Sequence, residues 1–220
     1  MIEIIPAIIA RDFEELAHKI AVIEGFAAWA QIDVMDGVFT PPVTFSDPTQ
    51  LRELKTNVRL EAHLMVADPE KCIDAWLDSP VERILIHYES TTPAQLHALI
   101  RRGEERGKDM GIVLKFETPV SVLDEFFAEH PSLRSIQLMG IAEIGYHGHS
   151  FEQKTLEKIS VLRTRHPGGI IEIDGGVSEK NIPGIVRAGA TRIIAGSAIF
   201  SADDPSRAYD MLVQSAESEA

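Results

Sequence analysis

At 220 residues the chain is short for two domains, and we expect a single domain over 1–220 of a size that α/β barrels commonly reach. Nearly half of the residues are apolar and a quarter are charged, which excludes disorder by composition and leaves enough material for a large core. A formal net charge of −13, with no cluster of Lys and Arg, argues against nucleic acid as a partner, although backbone N–H groups alone can hold one phosphate.

Short runs rich in Ile and Val alternate with longer amphipathic segments, the pattern of β-α units around a parallel sheet. In chain order the predicted strands are Ile2 to Ile9, Trp29 to Val34, Val58 to Leu64, Arg83 to His87, Met110 to Leu114, Ser135 to Met139, Ile170 to Asp174 and Arg192 to Ala195. Asp12 and Glu15 have the spacing of a capping pair before Leu16, Ile20 and Ile23 recur at helical spacing. Pro69, Pro93 and Pro205 fall where first helical turns begin, a position that tolerates a missing N–H. The tail after about Gln214 is expected to fray. An open doubly wound sheet shares this alternation. Eight repeats of about 27 residues, against roughly 30 for a β-α unit, favour closure into an α/β (β/α)8 TIM barrel.

Cys72 is the sole cysteine, the Met1-Ile2-Glu3-Ile4 start reads as a strand and not as a signal peptide, and no apolar run approaches bilayer length. The expectation is a soluble, cytoplasmic protein without a membrane partner.

In such a barrel the polar residues that end the strands face the functional mouth. Alternation places Gln31, Asp33 and Met35 on one face of the second strand, Glu61, His63 and Met65 on one face of the third, and Glu172 with Asp174 on the seventh. Two aspartates and a histidine thus converge at one end. Gly175-Gly176 and Gly196-Ser197, read as opening helices after strands seven and eight, suit a phosphate, because glycine lets backbone N–H groups approach an anion closely.

Five segments, Ile5-Pro6-Ala7-Ile8-Ile9-Ala10-Arg11-Asp12-Phe13, Asp33-Val34-Met35-Asp36-Gly37, His63-Leu64-Met65-Val66, Asp174-Gly175-Gly176-Val177 and Ala195-Gly196-Ser197-Ala198-Ile199-Phe200, resemble the signatures of the ribulose-phosphate 3-epimerase family in order and approximate spacing. The resemblance implies an isomerase of carbohydrate metabolism that inverts C3 of a ketose phosphate, D-ribulose 5-phosphate or a related pentulose or hexulose phosphate, with Asp33 and Asp174 as acid and base. It implies a divalent metal ion (zinc, iron, manganese or cobalt) held by Asp33, His63 and Asp174. Met35, Met65 and Met139 would line the pocket, and a homo-oligomer is the family's habit.

The pattern breaks in three places. Gln31 stands where the family has a metal-ligand histidine; an amide oxygen suits a hard cation better than zinc, so the metal would bind weakly, prefer an oxygen-loving ion or be absent. Ala7 replaces a serine that contacts the sugar phosphate, and Lys115 falls near a family asparagine. The loop after strand six becomes Ala142-Glu143-Ile144-Gly145-Tyr146-His147-Gly148-His149-Ser150, where Gly145, Tyr146 and Gly148 could still cover the substrate, Glu143 would bring negative charge toward the phosphate, and His147 or His149 could replace the missing ligand. Two alternatives stay open: a sugar-phosphate-binding protein with impaired catalysis, and carbon–carbon cleavage through a Schiff base on Lys115. His87 with Glu89 reads as a hydrogen-bonded barrel residue, His18, His97, His130 and His166 as surface residues, and Trp29 and Trp76 as anchors.

Overall fold

Alternation along a strand divides its side chains between two environments, and both are visible in the computed structural model, which describes residues 2–145 and 149–218. The strands are β1 (Glu3–Ile8), β2 (Trp29–Met35), β3 (Arg59–Met65), β4 (Arg83–His87), β5 (Asp109–Leu114), β6 (Ser135–Met139), β7 (Ile170–Asp174) and β8 (Arg192–Ala195). Each pairs in parallel with its successor and β8 closes on β1, so the chain forms a (β/α)8 TIM barrel.

Ile32, Leu64, Ile84, Ile112, Ile136, Ile171 and Ile193 form the outer face of the barrel. They meet Leu16 and Ile20 of α1 (Phe13–Ile23), Trp76 of α2 (Ile73–Leu77), Leu96 of α3 (Pro93–Glu105) and Phe126 of α4 (Asp124–Glu129). Ile159 of α5 (Thr155–Arg165), Ile185 of α6 (Ile182–Ala188), Ile199 of α7 (Ser197–Phe200) and Leu212 of α8 (Pro205–Glu217) complete that layer. Burial of each such side chain contributes about 1.5–3 kcal/mol, which fixes the register of every strand, because a one-residue slip would send its polar positions into this layer.

Local chemistry sets the helix starts. Asp12 accepts from the Glu15 N–H at 2.9 Å, while the Glu15 carboxylate reaches back to the Arg11 N–H at 3.0 Å, one residue before the partner a strict capping box would use. Thr92 and Gln95 do form a reciprocal box ahead of Pro93. Pro69 opens a 3-10 turn, and Pro93 and Pro205 open α3 and α8.

Three expectations need correction. The crossover from β2 to β3 holds no α-helix, only a 3-10 helix over Pro48–Glu53, because Pro41, Pro42 and Pro48 break the run of N–H donors a helix needs. The fraying expected after about Gln214 does not begin there: α8 continues to Glu217 and buries Ala216. Gly175-Gly176 forms a turn that does not itself open a helix, since α6 begins only at Ile182, after a turn in which Asn181 accepts from the Ser178 N–H at 2.8 Å and donates to the Gly176 carbonyl at 2.8 Å.

Candidate active site

The inward-facing side chains lie in polar layers. Toward the N-terminal ends of the strands, Glu61, Arg83, Glu172 and Arg192 form a buried ion network whose two arginines lie against the Trp29 ring. Arg83 bonds Glu61, Glu172 (3.2 Å) and Asp109 (2.7 Å), and Arg192 bonds Glu172 (2.7 Å) and Glu3 (2.6 Å). The sequence reading placed Glu61 and Glu172 on the same faces as His63 and Asp174. That holds, but both belong to this lower layer.

The layer above it carries Gln31, Asp33, His63, His87, Gln137 and Asp174. Gln31 Nε2 donates to Asp33 Oδ1 at 2.8 Å and to Asp174 Oδ2 at 3.0 Å, so one amide nitrogen joins both aspartates. His63 Nδ1 stands 3.2 Å from Asp33 Oδ1 and 3.4 Å from Asp174 Oδ2. Gln137 Nε2 donates to Asp174 Oδ2 at 3.1 Å. Register explains the meeting of Asp33 and His63, which are direct partners across β2 and β3. Asp174 joins them from the far side of the barrel.

Burial pushes the Asp33 carboxyl up from its ordinary value and the Asp174 charge adds to this, against hydrogen bonding from His63. For His63 burial works against the charged form, but its contacts to Asp174 and Asp33 outweigh it and hold the imidazole up at about 9. Behind it, His63 Nε2 lies 2.9 Å from His87 Nε2, and His87 Nδ1 lies 3.1 Å from Glu89 Oε2. Burial pushes His87 down to about 4, so it is neutral and its Nδ1–H donates to Glu89. Its Nε2 must then accept from His63 Nε2–H, which turns His63 Nδ1 toward the two aspartates.

Above this layer opens a cavity of about 270 Å³. Asp33 and Asp174 reach it, whereas His63 and Gln31 are fully buried beneath. Ala7, Met35, Met65, Met139, Gly145, Gly175, Gly176, Gly196 and Ser197 all line it, together with Ile9, Ile141, His149 and Ser178. Gly175 and Gly176 have φ of +102° and +69°, and a Cβ on Gly176 would stand 2.5 Å from the Phe151 nitrogen, so only glycine fits that turn. Tyr146, His147 and Gly148 lie outside the described residues. Glu143 is exposed and lies off the cavity lining, while the next residue, Ile144, is buried in the cluster of Met35, Met65 and Met139. His149 lines the cavity, but the metal-competent group at the mouth among the described residues is Asp33, His63 and Asp174. Lys115 places its ammonium 4.0 Å from the Phe39 ring and does not line the cavity.

One polar residue was missed. Gln137 sits two positions before Met139, which the resemblance put in the pocket, and strand alternation places Gln137 on the same face. His87 is hydrogen-bonded, as read, but it also touches His63, which the sequence could not show. His97 and His130, read as surface residues, are buried at 8% and 3% exposure.

The mouth of a closed parallel barrel is where TIM-barrel enzymes work, and this chain shares its fold with several solved ones. A 3-hexulose-6-phosphate synthase superposes with a TM-score of 0.72 at 19% identity, covering 97% of this chain and 99% of that one. KGPDC from Streptococcus mutans gives 0.73 at 14% identity, covering 99% and 98%. Sequence is more specific. Residues 3–200 match the model described as the Ribulose-phosphate 3 epimerase family. Ribulose-phosphate 3-epimerases from Eremothecium gossypii and Bacillus subtilis are 35% and 33% identical, over 91% and 94% of this chain and 87% and 96% of theirs. The chain belongs to the ribulose-phosphate 3-epimerase family, a family of isomerase enzymes.

Proposed function

We propose that the protein interconverts the C3 epimers of a ketose phosphate, D-ribulose 5-phosphate or a related pentulose or hexulose phosphate, with Asp33 and Asp174 as the acid/base pair. The observation that carries this reading is the convergence of two carboxylates from β2 and β7 on one buried amide nitrogen at the floor of the cavity. Epimerisation beside a carbonyl needs a base to remove the C3 proton and an acid to return one to the other face. An aspartate whose pKa is raised by burial, next to a second carboxylate, suits a pair that holds one proton between its members. The turns at Gly175-Gly176 and Gly196-Ser197 would hold the phosphate through backbone N–H groups, and Met35, Met65 and Met139 would keep water from the reacting carbon.

The floor also suits a divalent cation. Asp33, His63 and Asp174 offer ligand atoms within 4.8 Å of one another, and the carbonyl oxygens of Gln31 and Gln137 are buried without hydrogen-bond partners. Turning the Gln31 amide over would present its oxygen to the aspartates, giving two carboxylates, one imidazole nitrogen and one amide oxygen. That set favours an oxygen-preferring ion over zinc. Such an ion, when bound, supplies positive charge beside the oxygen that becomes negative as the proton leaves. The remaining residues do the rest: Asp33 and Asp174 move protons, and Glu89 through His87 orients His63.

A second reading, a binding protein with impaired catalysis, draws on the Gln31 amide hydrogens, which already satisfy both carboxylates. Incubation with D-ribulose 5-phosphate and added manganese, cobalt or zinc, followed by NMR, separates the two. The C3 epimer should appear, and Asp33→Asn and Asp174→Asn should each lower its rate by about 10²–10⁴-fold with the sugar still bound. Tight binding without turnover under every metal would favour the second reading.

A further inference from the structure

Outside the mouth, a second group of ligand atoms meets on the outer helical layer. His97 Nδ1 of α3 lies 2.9 Å from His130 Nε2 and 3.6 Å from Glu129 Oε2, and one ligand atom from each residue falls within 4.8 Å of the others. None of the three lines the mouth cavity. From this geometry we infer a second divalent-cation site, formed by His97, Glu129 and His130, for a borderline first-row ion such as zinc or cobalt.

Both rings are set before any ion arrives. The His97 ring stacks on the buried Phe126 at 4.3 Å, and His130 is the residue that ends α4, its N–H bonded to the Phe126 carbonyl at 2.8 Å. His130 Nδ1 lies 3.4 Å from Glu104 Oε2, and the other Glu104 oxygen accepts from the Ser132 hydroxyl. With Nδ1–H given to Glu104, His130 Nε2 presents its lone pair to His97, the arrangement in which a carboxylate behind a metal-bound histidine fixes the tautomer. His97 needs only to carry its hydrogen on Nε2 to present a second lone pair, so the ion takes the place of the hydrogen shared between the rings and no net proton is lost.

Glu129 supplies the anionic ligand from the solvent side. Its side chain is 59% exposed, which leaves both an entry path and room for water to complete the coordination. Two imidazole nitrogens and one carboxylate match the ligands zinc takes at about 2.0–2.2 Å, whereas magnesium and calcium favour all-oxygen sets. Glu104 and Glu129 together bring two negative charges to the doubly charged ion. The site would clamp α3 to the end of α4.

The test uses the full chain carrying Asp33→Asn and Asp174→Asn, which removes two of the three ligands at the mouth. Titrated with cobalt after chelator treatment, it should bind one equivalent with the visible absorption of a tetrahedral nitrogen–oxygen site. Adding His97→Gln or the exposed Glu129→Gln should abolish that absorption, and Glu104→Gln should weaken binding by about 10–100-fold. In an otherwise unaltered chain Glu129→Gln should reduce bound metal by one equivalent and leave turnover unchanged. Absence of cobalt binding in the mouth-disabled chain, or binding of equal strength after His97→Gln and Glu129→Gln, would overturn the inference.

Discussion

The barrel interior holds two polar layers a few ångströms apart along the strands, and they solve the problem of buried charge in opposite ways. In the lower layer two glutamates, Glu61 and Glu172, meet two arginines, Arg83 and Arg192, whose guanidinium groups also lie 4.5 and 5.7 Å from the Trp29 ring. Arginine keeps its charge at every relevant pH, so this layer always holds its positive counter-charge, while burial and the neighbouring Glu172 push the Glu61 carboxyl up to about 8. In the upper layer two aspartates face one histidine, and balance is reached when His63 is protonated and the aspartates hold one proton between them, or when a divalent cation is bound. A fixed counter-charge makes a scaffold, whereas a removable one leaves a site that can exchange protons and ligands.

The widest separation between the layers should come from removing one acid above. Asp174→Asn should cut turnover by about 10²–10⁴-fold while circular dichroism and the melting temperature stay near those of the parent. Below, Arg83→Leu leaves Glu61 and Glu172 short of a partner and should cost about 3–5 kcal/mol in denaturant unfolding, with the residual folded enzyme still active. Equal loss of stability from both substitutions would erase the distinction.

Smaller effects sharpen it. Glu89→Gln no longer fixes His87, and through it His63, so metal affinity at the mouth should fall by about 10–100-fold, read by isothermal titration calorimetry. Gln31→His restores an imidazole beside Asp33 and should tighten zinc binding by at least about tenfold. No change would mean that Gln31 stands outside the coordination set.

The smallest effect is in acid. Burial of Glu89 works against its charge, but hydrogen bonds with His87 and Thr118 hold it down at about 2, below the ordinary 4.5. A depressed carboxylate contributes stability that is present above the ordinary value and lost as pH falls through the folded one. Glu89→Gln should therefore flatten the decline in melting temperature between roughly pH 4.5 and pH 2.

Much of the barrel was legible because its strands are short apolar runs with polar residues at alternate positions. The predicted bounds of β4, β6, β7 and β8 match the observed ones. Much of the cavity lining was legible for the same reason: Asp33, Met35, Met65 and Asp174 each follow from strand parity, while Met139 came from the resemblance. Depth was not, since parity puts Glu61 and His63 on one face without saying which meets Arg83 and which meets Asp33. Partners such as Arg83 and Glu172, 89 positions apart, are set by closure of the barrel. Burial of His97 and His130 depends on how α3 and α4 pack together, which helical periodicity alone does not record. The β2–β3 crossover failed because three prolines overrode an expectation based on repeat length.

Proton delivery by Asp33 and Asp174 to opposite faces of one carbon, as proposed, leaves an isotopic signature. It is tested most directly by turnover of each C3 epimer of the ketose phosphate in deuterium oxide, stopped early and read by mass spectrometry. Deuterium should appear at C3 of the product epimer, with the remaining starting sugar unlabelled. Product formed without deuterium, or label entering both epimers equally from the first turnovers, would contradict it.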